Sequence, residues 1–389
     1  MNEAQLRKKV VDYMRNMANF EWTPEKTFIS FNPGNIGTKM FSIFRAGTTY
    51  YGPPYINFNI AQLETFDKWR HDTYIPYTGT EEQLDSIKKT AQLIEIGGEI
   101  LESSIYNAFH FPGNDCVTAV FMAWNTVINN RPEVQRMQTV SSTVPGKNTG
   151  IVPVGEYDYS NTFDDNTDAM TAANGEQVMA KAYSQLKPGD AITYIRKNNG
   201  NARHTRLIVE LPHVEYTSND KGEQIFDMEK SYVTILDQAG GDSSRFIKEE
   251  NKSSFREVNY NFEKLYTEGS LPVSIPELTE GAYVEENTYV ELLGFANGVF
   301  SGTVKTNRQI ISARAVISDG ENTRELDCGI VNTDGKVTNY HLGEYDLSKL
   351  DLAEAALVPG KEYSLDLYVC TSGNNGAEAK LVDDYKFTA

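Results

Sequence analysis

Gly113-Asn114-Asp115-Cys116-Val117-Thr118-Ala119-Val120-Phe121-Met122-Ala123-Trp124 reads as the opening of a buried helix. Val117, Val120, Phe121, Trp124, Val127 and Ile128 recur at the three- and four-residue spacing of a helix with one buried face. Pro112-Gly113-Asn114 ahead of them is turn material, and Asn114 or Asp115 suits the N-cap. Cys116 therefore falls in the first turn, where unpaired backbone N–H groups and the helix dipole favour an anion. The thiolate is the nucleophilic form of cysteine, and a helix start is one of the few local settings that lowers a thiol pKa. The plain alternative is a small buried core residue, the usual role of a free cysteine.

A nucleophilic thiol needs an imidazole to take its proton, a third group to orient that ring, and N–H donors for the oxyanion. Downstream, Leu186-Lys187-Pro188-Gly189-Asp190 forms a tight turn and Ala191 to Ile195 a strand. A polar turn ending at Arg203 leads into a second strand, His204 to Leu211, so the pair reads as a hairpin. A third strand, Tyr232 to Leu236, runs into Asp237-Gln238-Ala239-Gly240-Gly241. Among the histidines, His204 at the head of a strand is best placed to act as base. His213 suits a surface turn, and His71, His110 and His341 sit in no motif.

Working back towards the start, residues Leu6 to Asn19 show helical spacing, with Leu6, Val10, Val11, Tyr13, Met14 and Met17 on or near one face. Gly47-Thr48-Thr49-Tyr50-Tyr51-Gly52-Pro53-Pro54-Tyr55 is a rigid aromatic loop able to wall a pocket. Gln62 to about Phe109 reads as helical, with a break at Gly97-Gly98. Val140 to Asn174, rich in Ser, Thr, Gly, Asn and Asp, reads as a long loop of the kind that rims a site. A short helix is expected over Val178 to Gln185.

At 389 residues the chain exceeds one ordinary core, so two domains are expected, 1–268 and 277–389. The linker falls at Glu268-Gly269-Ser270-Leu271-Pro272-Val273-Ser274-Ile275-Pro276. Beyond it, short strand-like runs at Tyr289–Leu293, Val299–Lys305, Gln309–Ser318, Arg324–Val331 and Tyr363–Cys370 suggest a β-sandwich. Net charge is −18, from 36 Lys and Arg against 54 Asp and Glu, which argues against nucleic acid or an anionic membrane as partner. No apolar run approaches a membrane span, and Met1-Asn2-Glu3-Ala4-Gln5-Leu6 holds no signal-peptide core. The chain is thus cytosolic, or a mature secreted form with an added Met1. Cys328 and Cys370 both fall in strand-like stretches, which leaves a pairing between them open. No phosphate loop of the P-loop type and no cluster with metal-ligand spacing occurs; no cofactor is expected, because thiol hydrolysis needs none.

Together these pieces resemble a family. Gly-Asn-Asp-Cys116 opening an apolar helix, Leu186-Lys187-Pro188-Gly189-Asp190 followed by His204, and Tyr51-Gly52-Pro53-Pro54-Tyr55 upstream resemble, in order and rough spacing, NlpC-type papain-like cysteine peptidases of bacterial cell walls. The resemblance covers about Thr48 to Gln238 and implies an α+β papain-like fold that cleaves peptide or amide bonds in peptidoglycan stems. It makes Cys116 the nucleophile and His204 the base, places the third residue at Asp237 or Gln238, and puts Tyr51, Tyr55 and Asp115 on the substrate cleft. Strand alternation favours Asp237 and motif alignment favours Gln238. It also implies a secreted or wall-associated protein.

Val117 and Thr118 stand where the family has Ser and Gly, and a helical insertion of about fifty residues, Ile60 to Phe111, separates the tyrosine segment from the cysteine. Leu357-Val358-Pro359-Gly360-Lys361-Glu362-Tyr363 resembles the tyrosine corner of fibronectin type III domains, an immunoglobulin-like sandwich. Two other readings follow from the same residues: an inactive wall-binding or adhesion protein on this fold, and a cysteine amidase or acyltransferase acting on another amide.

Overall fold

The N-terminal helix shows how local chemistry starts the fold. Asn2 Oδ1 accepts from Gln5 N at 2.9 Å and Gln5 Oε1 accepts from Asn2 N at 2.9 Å, a reciprocal cap that opens α1 (Glu3–Asn19). Its buried face carries Leu6, Val10, Tyr13, Met14 and Met17, together with Arg7. The structure, a computed structural model, describes the chain outside residues 32–40, 57–62, 72, 91–97, 131–139, 149, 161–165, 197–201, 240–251, 330–342 and 375. It is of mixed α+β class, and the chain divides into two compact units. The first is Met1–Trp124 with Arg136–Ala282, and the second is Asn125–Gln135 with Tyr283–Ala389.

In the first unit, β1 (Glu21–Trp22), β2 (Phe28–Phe31), β3 (Phe41–Phe44) and β4 (Tyr50–Tyr51) form two small antiparallel pairs, β1 with β4 and β2 with β3. Helices α2 (Leu63–Arg70), α3 (Glu81–Thr90) and α4 (Gly98–His110) follow. Phe66 of α2 and Phe111 just after α4 pack into one aromatic cluster with Trp22, Phe28 and Phe44, with centroid separations of 4.6 Å for Phe28–Phe111 and 5.7 Å for Trp22–Phe66. The expected helical insertion is therefore part of the core. Next comes α5 (Cys116–Asn125), and every one of its residues is buried. The expectation of a single buried face falls short, because the polar members Thr118 and Asn125 are enclosed as well.

The remainder of the unit runs β5 (Val152–Pro153), α6 (Thr167–Asn174), α7 (Glu176–Tyr183), β6 (Ala191–Arg196), β7 (Ala202–Ile208), β8 (Tyr216–Ser218), β9 (Gln224–Phe226), β10 (Tyr232–Gln238), β11 (Phe255–Asn261), α8 (Phe262–Thr267), β12 (Leu271–Ser274) and α9 (Pro276–Thr279). Six strands make one sheet in the order β11-β10-β7-β6-β12-β5, all pairs antiparallel. Two expectations are corrected here. The stretch read as a long loop contains α6, whose Thr167 Oγ1 accepts from Ile195 N at 2.8 Å. The stretch read as a linker contains β12, a fully buried strand between β6 and β5. Pro272 supplies no N–H, but its carbonyl accepts from Val154 N at 3.0 Å and from the Tyr157 hydroxyl at 2.8 Å, so proline and glycine content misreads a strand as a linker.

Arg7 ties these pieces together. Its guanidinium donates to Asp190 Oδ1 at 2.8 Å, to the Pro188 carbonyl at 3.0 Å and to the Leu278 carbonyl at 3.1 Å. Asp190 also accepts from Lys187 N and Ser274 Oγ. Trp124 Nε1 donates to the Gly189 carbonyl at 2.7 Å, fixing the far end of α5 to the same turn. Gly189 sits at φ +91°, a backbone conformation that favours glycine.

The second unit contains β13 (Thr288–Ala296), β14 (Val299–Thr306), β15 (Ile310–Ser318), β16 (Thr323–Asp327), β17 (Glu344–Asp346), β18 (Glu362–Thr371) and β19 (Glu378–Thr388). A three-stranded sheet, β13-β14-β17, and a four-stranded sheet, β16-β15-β18-β19, share one core that includes Phe300, Val304, Ile317, Leu367 and Phe387. The Tyr363 hydroxyl accepts from Val358 N at 3.0 Å. The expected boundary at 277 is moved in two ways. The unit begins at Tyr283, and it takes in Asn125–Gln135, which directly continues α5. Within it Asn130 N donates to the Asn307 carbonyl at 2.8 Å and the buried Arg308 to Asn129 Oδ1 at 2.6 Å. All three cysteines are free thiols. Cys370 pairs across to Ser312 of β15 while Cys328 N bonds Ala313 O on the other side of that strand. Two strand spacings, about 9–10 Å, exceed the Cα separation of about 7 Å that a disulfide spans.

Two outcomes are expected. Arg7→Met strands a buried carboxylate and lowers stability by about 3–5 kcal/mol in urea unfolding, and adding Asp190→Asn recovers part of the loss. A fragment of residues 283–389, lacking the Ile128 and Asn129 oxygens that Arg308 bonds, shows no cooperative thermal unfolding, whereas the same unit within the full chain does.

Candidate active site

The start of α5 is built by its own sequence. Thr118 N and Thr118 Oγ1 both donate to Asp115 Oδ1, at 2.8 and 2.7 Å, and Asp115 N donates back to Thr118 Oγ1 at 2.9 Å. Thr118, a departure from the resembling motif, therefore completes a reciprocal cap beneath the nucleophile candidate. Ahead of it the chain is clamped to the tyrosine loop: Ile56 N donates to the Asn114 carbonyl at 2.8 Å and Asn114 N to the Pro54 carbonyl at 3.0 Å. A Cβ at Gly113 would lie 2.5 Å from the Pro54 carbonyl oxygen, so only glycine allows this approach. The clamp delivers the Tyr55 hydroxyl to 3.9 Å from Cys116 Sγ. Burial, followed by the Cys116 sulfur and Asp115, pushes the Tyr55 phenol well above its ordinary range, which keeps its proton available to donate.

His204 and Asp237 meet across the neighbouring strands β7 and β10. His204 Nε2 lies 2.5 Å from Asp237 Oδ1, and Asp237 has no solvent exposure. With Nε2 engaged, the other ring nitrogen is the one that remains for the Cys116 sulfur, which also interacts with the ring. Burial alone would lower the imidazole pKa, but the Asp237 carboxylate and the Cys116 sulfur outweigh it and raise it to about 10. Burial would likewise raise the Asp237 carboxyl, yet His204, Arg206 and Arg256 hold it well below the usual carboxylate range. Asp115 moves the other way, pushed up by burial against the opposing pull of its Thr118 hydrogen bonds.

Of Asp237 and Gln238, it is Asp237 that the structure places beside His204. Gln238 Nε2 donates instead to the Pro53 carbonyl at 3.0 Å and to Ser254 Oγ at 3.1 Å, because alternation turns it away from Asp237's partners. Gln238 braces the loop that carries Tyr55. Tyr51 is partly exposed on β4 and lines a depression with Trp22, Gly52, Pro54, Ser253 and Ser254. Of the two tyrosines, it is Tyr55 that the structure brings to the thiol. His213 stacks on Tyr232 and bonds Glu215, His71 faces Glu25, and His110 stacks on Tyr106. His341 lies outside the described residues. Sequence reading missed Arg206 and Arg256 around Asp237, and Tyr194, which sits opposite His204 in register with ring centroids 6.0 Å apart. The one signal for Arg206 was its place two residues after His204, hence on the same strand face.

Among the described residues no group of three or more His, Cys, Asp or Glu side chains is arranged to hold a metal ion, and no helix is long and apolar enough to cross a membrane. Comparison with protein-family models, with curated proteins and with solved structures finds no match for the chain.

The paired shifts fix a pH signature for stability. A raised His204 contributes fully below its unfolded pKa of about 6.5 and loses that contribution as pH rises through about 10. A lowered Asp237 contributes above about 3.9 and loses it on acidification below that value. Thermal melts of wild type and His204→Gln therefore differ most between about pH 4 and 6.5, by about 1.5–3 kcal/mol, and converge towards pH 10.

Proposed function

We propose that this chain is a papain-like cysteine hydrolase that cleaves peptide or amide bonds in bacterial peptidoglycan stem peptides. The reading is carried by one observation: a buried imidazole is held by Asp237 at 2.5 Å through Nε2, with the Cys116 sulfur at a helix start as its other partner. His204 takes the thiol proton, and Cys116 Sγ attacks the carbonyl carbon. As the C–N bond breaks, His204 returns the proton to the leaving amine and a thioester remains. Water, deprotonated by His204, then attacks that thioester, releasing the acid and restoring the thiol. Asp237 keeps the ring oriented and balances the imidazolium charge. The negative oxygen of the tetrahedral intermediate is met by backbone N–H groups at the start of α5 and by the Tyr55 hydroxyl.

The wall-peptide substrate rests on the Tyr51–Tyr55, Cys116 and Leu186–His204 motifs, and with it a secreted or wall-associated location. The second unit, with sheets of three and four strands and the Tyr363 hydroxyl bonded to Val358 N, supports a fibronectin type III-like spacer.

The test is iodoacetamide labelling of the full chain with the label located by mass spectrometry, combined with digestion of purified peptidoglycan. Fast labelling of Cys116 at pH 6, lost in His204→Ala, is expected, together with stem-peptide cleavage abolished in Cys116→Ala and slowed about 10²–10⁴-fold in His204→Ala. Labelling that rises only near the ordinary thiol pKa of about 8.5, indifferent to His204→Ala, overturns the reading.

A further inference from the structure

Resting on the hydrolase reading above, we infer that Arg256 is a positioning residue for the triad, a fourth member that acts through Asp237. Arg256 lies on β11 directly opposite Asp237 in the antiparallel register. Its Nε and Nη2 both donate to Asp237 Oδ2, at 3.2 and 3.1 Å, while Oδ1 is given to His204. A carboxylate in a plain hydrophobic slot is free to turn about its last torsion and exchange its oxygens. Two N–H groups of a rigid planar fork on one oxygen fix the carboxylate plane, so that the second oxygen stays on the imidazole. The fork is itself held, because Nη2 also donates to the Tyr260 hydroxyl at 3.1 Å.

Arg206 cannot take over this task. Its guanidinium stands 3.8 Å from Asp237 Oδ2, and it is committed to Glu268 at 2.7 Å and stacked over the Tyr260 ring at 4.5 Å. The charges around Asp237 are therefore two guanidiniums against the carboxylates of Asp237 and Glu268, and they cancel. The other groups that interact with the pair are the Asp115 carboxyl, which interacts with His204, and the phenols of Tyr55 and Tyr194, which interact with the Cys116 sulfur. None of these supplies a cation in place of Arg256. Without it, unbalanced negative charge falls on the His204–Cys116 pair, which favours the imidazolium and disfavours the thiolate. Both limbs of a pH profile of thiol reactivity then move to higher pH. A residue that only supported the fold would lower reactivity at every pH and leave the limbs in place.

The experiment measures iodoacetamide labelling of Cys116 from pH 4 to 11, read by mass spectrometry, in the full chain as wild type, Arg256→Gln and Arg256→Lys, with near-UV circular dichroism to establish folding. In Arg256→Gln both limbs are expected to rise by about half a pH unit or more. Arg256→Lys keeps the charge but not the fork, and is expected to move them the same way by a smaller amount. If Arg256→Gln does not fold, the shift in Arg256→Lys carries the test. Wild-type limbs in a folded variant overturn the positioning role while the hydrolase reading stands. A wild-type protein without low-pH labelling fails the hydrolase reading itself, and the role of Arg256 falls with it.

Discussion

A carboxylate with no access to water exists in a folded protein only where cations and N–H donors replace its hydration, and Asp237 is such a group. Its desolvation is met by His204 and Arg206 from one neighbouring strand and by Arg256 from the other. That requirement fixes the register of three adjacent strands, since a slip of one residue on β7 or β11 would turn those side chains to the opposite face. The same electrostatics raises the imidazole pKa against the opposing effect of burial. Stability and the proposed chemistry thus draw on one buried charge cluster, carried by the sheet.

The Cys116 side is organised by a different kind of constraint. Helix α5 is enclosed throughout, so its placement is set by packing and by its two ends. At the start, Asp115 and Thr118 satisfy the helix cap, and Gly113 lets the chain approach the Pro54 carbonyl closely enough to seat Tyr55 beside the sulfur. At the far end Trp124 bonds the Gly189 carbonyl in the turn that Asp190 and Arg7 lock. The motif Leu-Lys-Pro-Gly-Asp therefore has a structural duty as well as leading into the His204 hairpin. Its aspartate is the anchor for α1 and, through Ser274, for β12, while the neighbouring Gly189 carbonyl holds the helix that bears the thiol.

The segment Asn125–Gln135, which begins at the last residue of α5, belongs to the second unit although it interrupts the sequence of the first. Arg308, almost fully enclosed, needs the carbonyl and amide oxygens of that segment, so the unit's polar core is complete only with both pieces of chain. The two β-sheets themselves follow from strand alternation and the apolar core around Phe300 and Phe387.

Local signals were legible in the sequence because their physics is local. A cap residue ahead of an apolar run placed Cys116 at a helix start, a Pro-Gly-Asp turn followed by a strand and a polar turn placed His204, and strand-like runs gave five of the seven strands described in the second unit. What only the tertiary structure decided depends on partners distant in the chain. Asp237 and Gln238 are both polar ends of one strand, and their roles separate only when His204 and Arg256 meet one of them and Pro53 and Ser254 the other. The Leu271–Ser274 strand carries the proline and glycine neighbours of a linker, and it is a strand because β6 and β5 flank it. Local patterning of the sequence placed Cys116 and His204 on their elements but did not single out Arg256 or Tyr194. Tertiary structure alone decided which of them share a buried charge, because desolvation and cross-strand register are properties of the assembled sheet and of no single segment.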